Sequence, residues 1–196
     1  MKKLIIVIAA ILILCLTLTG FASEKVFDFR KTTWGMSEEQ VRVTEKGKIV
    51  DEDISEVKTI VYKTNIDAKD FYIAYMFIED KFYRGGYLLN ENYTNENDYI
   101  DVYKDLKETL TKKYGKPIKD EINWKDDTYK DDKNNWGLAI GIGELEYIST
   151  WETSTTGIEL ELNGNNYDVN VGVRYMSKEL KEWAHKIIEE KTKSNF

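Results

Sequence analysis

The chain has 196 residues, with 28 Lys and Arg against 35 Asp and Glu, a formal charge of −7, and 13% aromatic residues. An acidic chain without a clustered Lys/Arg stripe is repelled by phosphate backbones and by anionic membrane surfaces, which excludes nucleic acid as a partner. The aromatic content excludes a disordered chain, and a single cysteine excludes a disulfide framework.

Lys2 and Lys3 open the chain, Leu4 to Leu18 run without a charge, and Gly20 and Ala22 place small residues at a cleavage site. This is the anatomy of a secretory signal peptide over residues 1–22, followed by one domain over 23–196. It predicts an exported protein, extracellular or associated with the cell wall, with no membrane span in its mature form. An uncleaved anchor is the alternative, although the apolar run is short of the about 20 residues a span needs. Lipidation of Cys15 is disfavoured by Leu14, which stands where a small residue is required. Removing the leader takes away two lysines and the only thiol.

Ser37 and Gln40 form a capping-box pattern, with Met36 and Val41 at the staple positions, and predict a helix over about 38–46. Alternation then predicts strands near 57–64, 70–79 and 82–90. In the middle strand Phe71, Ile73, Tyr75 and Phe77 point one way while Tyr72, Ala74, Met76 and Ile78 point the other. Both sets are apolar, so this strand is expected to be covered on both faces. Glu79-Asp80 makes a tight turn. Asn95 or Asn97 caps a helix of about 98–114 with an apolar stripe from Tyr99 to Tyr114, ended by Gly115 and Pro117.

Residues 136–145, interrupted by three glycines, read as a weakened helix or a strand, with the helix favoured by analogy to the first half. Strands follow near 146–153, 157–163 and 167–176, with a turn at Asn163-Gly164-Asn165-Asn166. Ile158, Leu160 and Leu162 alternate with Glu159 and Glu161, which marks a sheet buried on one face and wet on the other. Ser177 caps a last helix whose inner stripe is Leu180, Trp183, Ala184, Ile187 and Ile188.

The predicted class is α+β, with antiparallel meanders and packed helices. Two Trp-Gly dipeptides, Trp34-Gly35 and Trp136-Gly137, each precede the same order of elements. They suggest an α-βββ-α pseudo-repeat over 29–117 and 133–193, and leave open whether the strands form one sheet or two.

The phrases Phe29-Arg30-Lys31-Thr32-Thr33-Trp34-Gly35-Met36-Ser37-Glu38-Glu39-Gln40-Val41, Lys112-Lys113-Tyr114-Gly115-Lys116-Pro117 and Ser149-Thr150-Trp151-Glu152-Thr153 resemble a family of secreted proteins of clostridia-like Gram-positive bacteria. The resemblance implies export and an α+β fold, and carries over no catalytic or binding residue. In element order alone, the chain also resembles small envelope modules of the β-lactamase-inhibitor-protein and outer-membrane-assembly lipoprotein type.

His185 is the one histidine, and no nucleophile elbow or zinc-ligand spacing accompanies it. The acidic runs Asp51-Glu52-Asp53 and Asp126 to Asp132 lack calcium-loop spacing and read as solvated loops. No cofactor or metal site is expected. Trp124, Tyr129 and Trp151 lie in an otherwise polar segment and are the candidate binding residues, with core packing as the alternative. The function this supports is an exported, non-enzymatic binding module of the cell envelope for a protein, cell-wall or small-molecule ligand. The second reading is a secreted hydrolase with paired carboxylates.

Overall fold

The computed structural model describes residues 26–194. The leader reading, residues 1–22 with Cys15, lies outside the described residues. The elements are α1 (Glu38–Thr44), β1 (Ile49–Asp53), β2 (Lys58–Ile66), β3 (Lys69–Ile78), β4 (Lys81–Leu89), α2 (Asn97–Tyr114), β5 (Lys119–Trp124), α3 (Trp136–Gly141), β6 (Leu145–Glu152), β7 (Thr156–Asn165), β8 (Asp168–Ser177) and α4 (Lys181–Ser194). The eight strands make one antiparallel sheet in the order β1-β2-β3-β4-β8-β7-β6-β5. Two four-stranded meanders therefore meet where β4 pairs with β8. The fold is α+β, as the alternation predicts.

The start of α1 is built from the chemistry legible in the sequence. Ser37 Oγ accepts the Gln40 amide at 3.3 Å, and Gln40 Oε1 accepts the Ser37 amide at 2.9 Å, so the capping box is closed. At the start of α2 neither Asn95 nor Asn97 caps the helix: the N-cap is Glu96, without a side-chain cap bond, and Asn95 accepts the Asn97 amide at 3.3 Å in the turn that leads into it. The Asn97 side chain instead crosses to α3, accepting from the Gly137 amide at 2.8 Å and donating to the Asn134 carbonyl at 2.7 Å. Two-residue turns at Asp67-Ala68, Glu79-Asp80 and Asn166-Tyr167 all have positive φ at both positions. That turn geometry matches the right-handed twist of paired strands.

Four expectations need correction. The strands β1 and β5 were not predicted, because both are charged edge strands without clean alternation, the composition by which edges resist pairing with other chains. The turn of the last hairpin lies at Asn166-Tyr167 rather than at Asn163–Asn166, since Asn165 still pairs with Asp168 and Tyr167 leaves the strand. The helix at Trp136 ends at Gly141, and Gly143, at φ +83°, turns the chain into β6. The last correction concerns β3, whose second face is covered only at one end.

One face of the sheet carries the main core. Directly paired residues run across it in unbroken rows, for instance Ile60, Tyr75, Gly85, Tyr175, Ile158 and Trp151. Over this face lie α1, the N-terminal segment with Phe29, α2 and α3. Although α2 follows the first meander, it packs across β6, β7 and β8 of the second. Tyr99, Val102, Tyr103 and Leu110 of its stripe are buried there. The two Trp-Gly dipeptides serve different purposes. Gly35 holds a positive φ of +80°, whereas a Cβ on Gly137 would stand 2.4 Å from the Asn97 backbone, so only glycine lets α3 touch the start of α2.

On the opposite face α4 covers Ile78 and Tyr83 at the β3–β4 turn with Ala184, Leu180, Trp183, Ile187 and Ile188. Ser177 Oγ accepts the Leu180 amide at 3.1 Å and holds the turn between the end of β8 and α4, which begins at Lys181 rather than directly after Ser177. Beyond α4 the sheet face is open.

Candidate functional site

Three rows of paired residues build the open face. The middle row is Val61, Ala74, Gly86, Arg174 and Glu159; the row on one side is Met76, Arg84 and Met176; the row on the other is Tyr72, Leu88, Gly172 and Glu161. Small residues at Ala74, Gly86 and Gly172, beside larger ones at Tyr72, Met76, Arg84 and Leu88, leave a trough of about 610 Å³. The volume is that of a small-molecule site.

The bare floor is a consequence of how the two meanders join. A Cβ on Gly86 would stand 2.8 Å from the Val173 carbonyl oxygen, and one on Gly172 would stand 3.1 Å from that of Tyr87. Glycine at Gly86 therefore permits the close β4–β8 seam and leaves the trough without a side chain at its centre. The walls are apolar side chains that remain partly in water, with Leu88 42% exposed and Tyr72 and Met76 half-buried. Each square ångström of such surface taken from water is worth about 25 cal/mol, a standing drive to bind an apolar body.

Charge in the trough is uneven. The Nη2 of Arg174 donates to Glu159 and, at 2.6 Å, to Glu161 Oε2, so one nitrogen of this guanidinium bridges both carboxylates and its charge is neutralised. Arg84 is half-buried on the adjacent strand and lines the same trough. Among the described residues its side chain has no hydrogen-bond or ion-pair partner. Burial, and then the like charge of Arg174, lower its pKa from the ordinary arginine value. By contrast, the hollow beside α1 on the covered side has its arginine spoken for. Arg30 Nε meets Glu45 Oε2 at 2.8 Å, and the same carboxylate accepts from the Tyr75 hydroxyl at 2.8 Å.

The aromatic residues singled out from the sequence lie elsewhere. Trp151 is 2% exposed in the core, and its indole donates to the Gly115 carbonyl at 2.9 Å. It is not on a recognition face, because its position in β6 points it toward the main core. Trp124 and Tyr129 are half-buried and pack against that core. Trp124 meets Trp136 edge to face at 5.7 Å, and the Trp136 indole donates to the Lys130 carbonyl, so the polar loop folds over an aromatic anchor. His185 is exposed on α4. In the acidic loop Asp126 accepts from the Thr128 amide and Asp132 from the Asn134 amide, both as local turn caps. Among the described residues no cluster of three or more His, Cys, Asp or Glu is placed to hold a metal.

Sequence reasoning missed the trough, but a signal for it exists. The doubly apolar alternation of β3 marks a strand that needs cover on both faces, and the structure supplies cover for one face and a part of the other.

No protein-family model matches the chain, and neither curated proteins nor solved structures give a significant match.

Proposed function

We propose that the protein is an exported, non-enzymatic binding module of the bacterial cell envelope that takes a ligand with an apolar body on the open face of its sheet. The observation that carries this reading is the trough itself. A floor of Ala74, Gly86 and Gly172 is flanked by Tyr72 and Leu88 on one side and, on the other, by Met76, which also packs against the α4 cluster. The leader-like first 22 residues support the compartment. The hydrolase reading has less support: of the two carboxylates that line the trough, Glu161 accepts from Arg174 and Asp51 from the Glu52 amide, so each is already engaged within the protein.

The test uses the neutral probe N-phenyl-1-naphthylamine, whose fluorescence rises in apolar sites. The wild-type protein should enhance it, and Ala74→Trp, which fills the floor, should abolish the enhancement while far-UV dichroism and the melting midpoint hold. Equal enhancement by the two folded proteins, or none by either, would overturn the assignment of the trough.

A further inference from the structure

The trough joins an apolar body site to one unsatisfied cation. Arg84 projects from the central strand β4 into it, and its five donors have no acceptor among the described residues. A guanidinium held partly out of water with its donors unmade is costly, and a carboxylate from outside can satisfy two of them side by side. Arg174, one residue row away on β8, already has its charge matched by Glu159 and Glu161.

We infer that the trough selects an amphiphile bearing a single carboxylate, its head on Arg84 and its alkyl body over the floor of Ala74, Gly86 and Gly172 between Met76 and the Tyr72–Leu88 wall. The inference rests on the proposed reading of the trough and adds the ligand's chemical class. Three features of the trough set that class. First, β3, β4 and β8 are interior strands whose backbone groups are paired on both sides. A peptide laid on this face would find few partners for its own amides, whereas an alkyl chain needs none. Second, Glu161 and Asp51 line the same trough, which opposes a doubly charged head such as a phosphate monoester. Third, the lone guanidinium matches a planar carboxylate in bidentate geometry, which an alcohol or an ammonium cannot offer.

The experiment is calorimetric titration of the full-length mature protein with decanoate, decanol and decylamine, on wild type, Arg84→Met and Arg84→Lys. Wild type should bind decanoate at least tenfold more tightly than decanol, and decylamine most weakly. Arg84→Met should erase the tenfold preference and leave decanol binding unchanged, and Arg84→Lys should keep part of it. Decanoate binding no better than decanol, or equally well to Arg84→Met, overturns the inference while leaving an apolar site in the trough. If none of the three binds and N-phenyl-1-naphthylamine is also refused, the inference and the proposed function fall together. An apolar tetrapeptide with a free C-terminal carboxylate is the competing occupant, and its binding where decanoate is ignored also overturns the inference.

Discussion

Tyr103 of α2 and Tyr147 of β6 meet at a tilt with ring centroids 5.3 Å apart, yet their hydroxyls meet opposite circumstances. The Tyr103 hydroxyl lies 2.6 Å from Ser149 Oγ, which itself donates to Asp120 Oδ1 at 2.8 Å, while Lys107 Nζ holds the other Asp120 oxygen at 2.6 Å. Since Ser149 spends its proton on Asp120, Tyr103 is the donor to Ser149. The Tyr147 hydroxyl is buried with no partner among the described residues. Removing the two hydroxyls should therefore have different signs. Tyr103→Phe loses one net hydrogen bond in a charge-linked chain and should cost about 1–2 kcal/mol. Tyr147→Phe removes a buried group that costs about 1–3 kcal/mol to leave unpaired, so it should be neutral or stabilise by about 1 kcal/mol. Ser149→Ala strands the Tyr103 hydroxyl and should cost about 2–3 kcal/mol; the double variant with Tyr103→Phe should fall short of the sum by about 1 kcal/mol. Urea denaturation midpoints at constant slope measure all four. Equal destabilisation by the two Tyr→Phe changes, or strict additivity of Tyr103→Phe with Ser149→Ala, would refute this account of the network.

The same residues predict an alkaline limit to stability. Burial pushes the Tyr103 and Tyr147 hydroxyls up to about 12 each, and shifts Tyr75 and Tyr175 in the same direction. Below about pH 10, the ordinary tyrosine value, folded and unfolded chains keep these protons and the contribution is full. Between there and about pH 12 the unfolded chain releases them first, so stability falls as pH rises, by up to about 3 kcal/mol per tyrosine. Urea midpoints should drop steadily above about pH 10, together with a cooperative rise in phenolate absorbance; a midpoint that stays flat through about pH 11 contradicts the burial. Trp151→Ala should lose about 3–5 kcal/mol through the cavity it leaves, whereas Trp124→Ala, half-buried, should lose less. Thermal melts rank the two, and the reverse order would return Trp151 to the surface.

Much of the local structure was legible because its causes are local. The capping box at Ser37, the stop at Gly115, the alternation of Ile158, Leu160 and Leu162, and the tight turn at Glu79-Asp80 each depend on residues a few positions apart, and all appear where the pattern puts them. Edge strands β1 and β5 escaped because exposed, charged strands carry no period to read. Trp151 was left between a recognition face and the core for a related reason: the residues around it are polar, and β-strand alternation within 146–153 leaves open which side of the sheet is the inside.

What the sequence by itself determined is an acidic α+β chain, the capped start of α1, the glycine stop of α2, and the two apolar faces of β3. Tertiary structure alone decided that the two meanders join in one sheet, that α2 crosses to cover the second meander, and that α4 covers only the β3–β4 end of the opposite face. It also decided which arginine is paired. Arg174 finds Glu159 and Glu161 across the β7–β8 ladder, while Arg84, one strand over, faces Met76 and Met176 in its own row. Periodicity reports which residues share a face, because that follows from backbone geometry. What comes to lie against that face, and whether a charge on it meets an opposite one, depends on strands and helices brought together from distant parts of the chain.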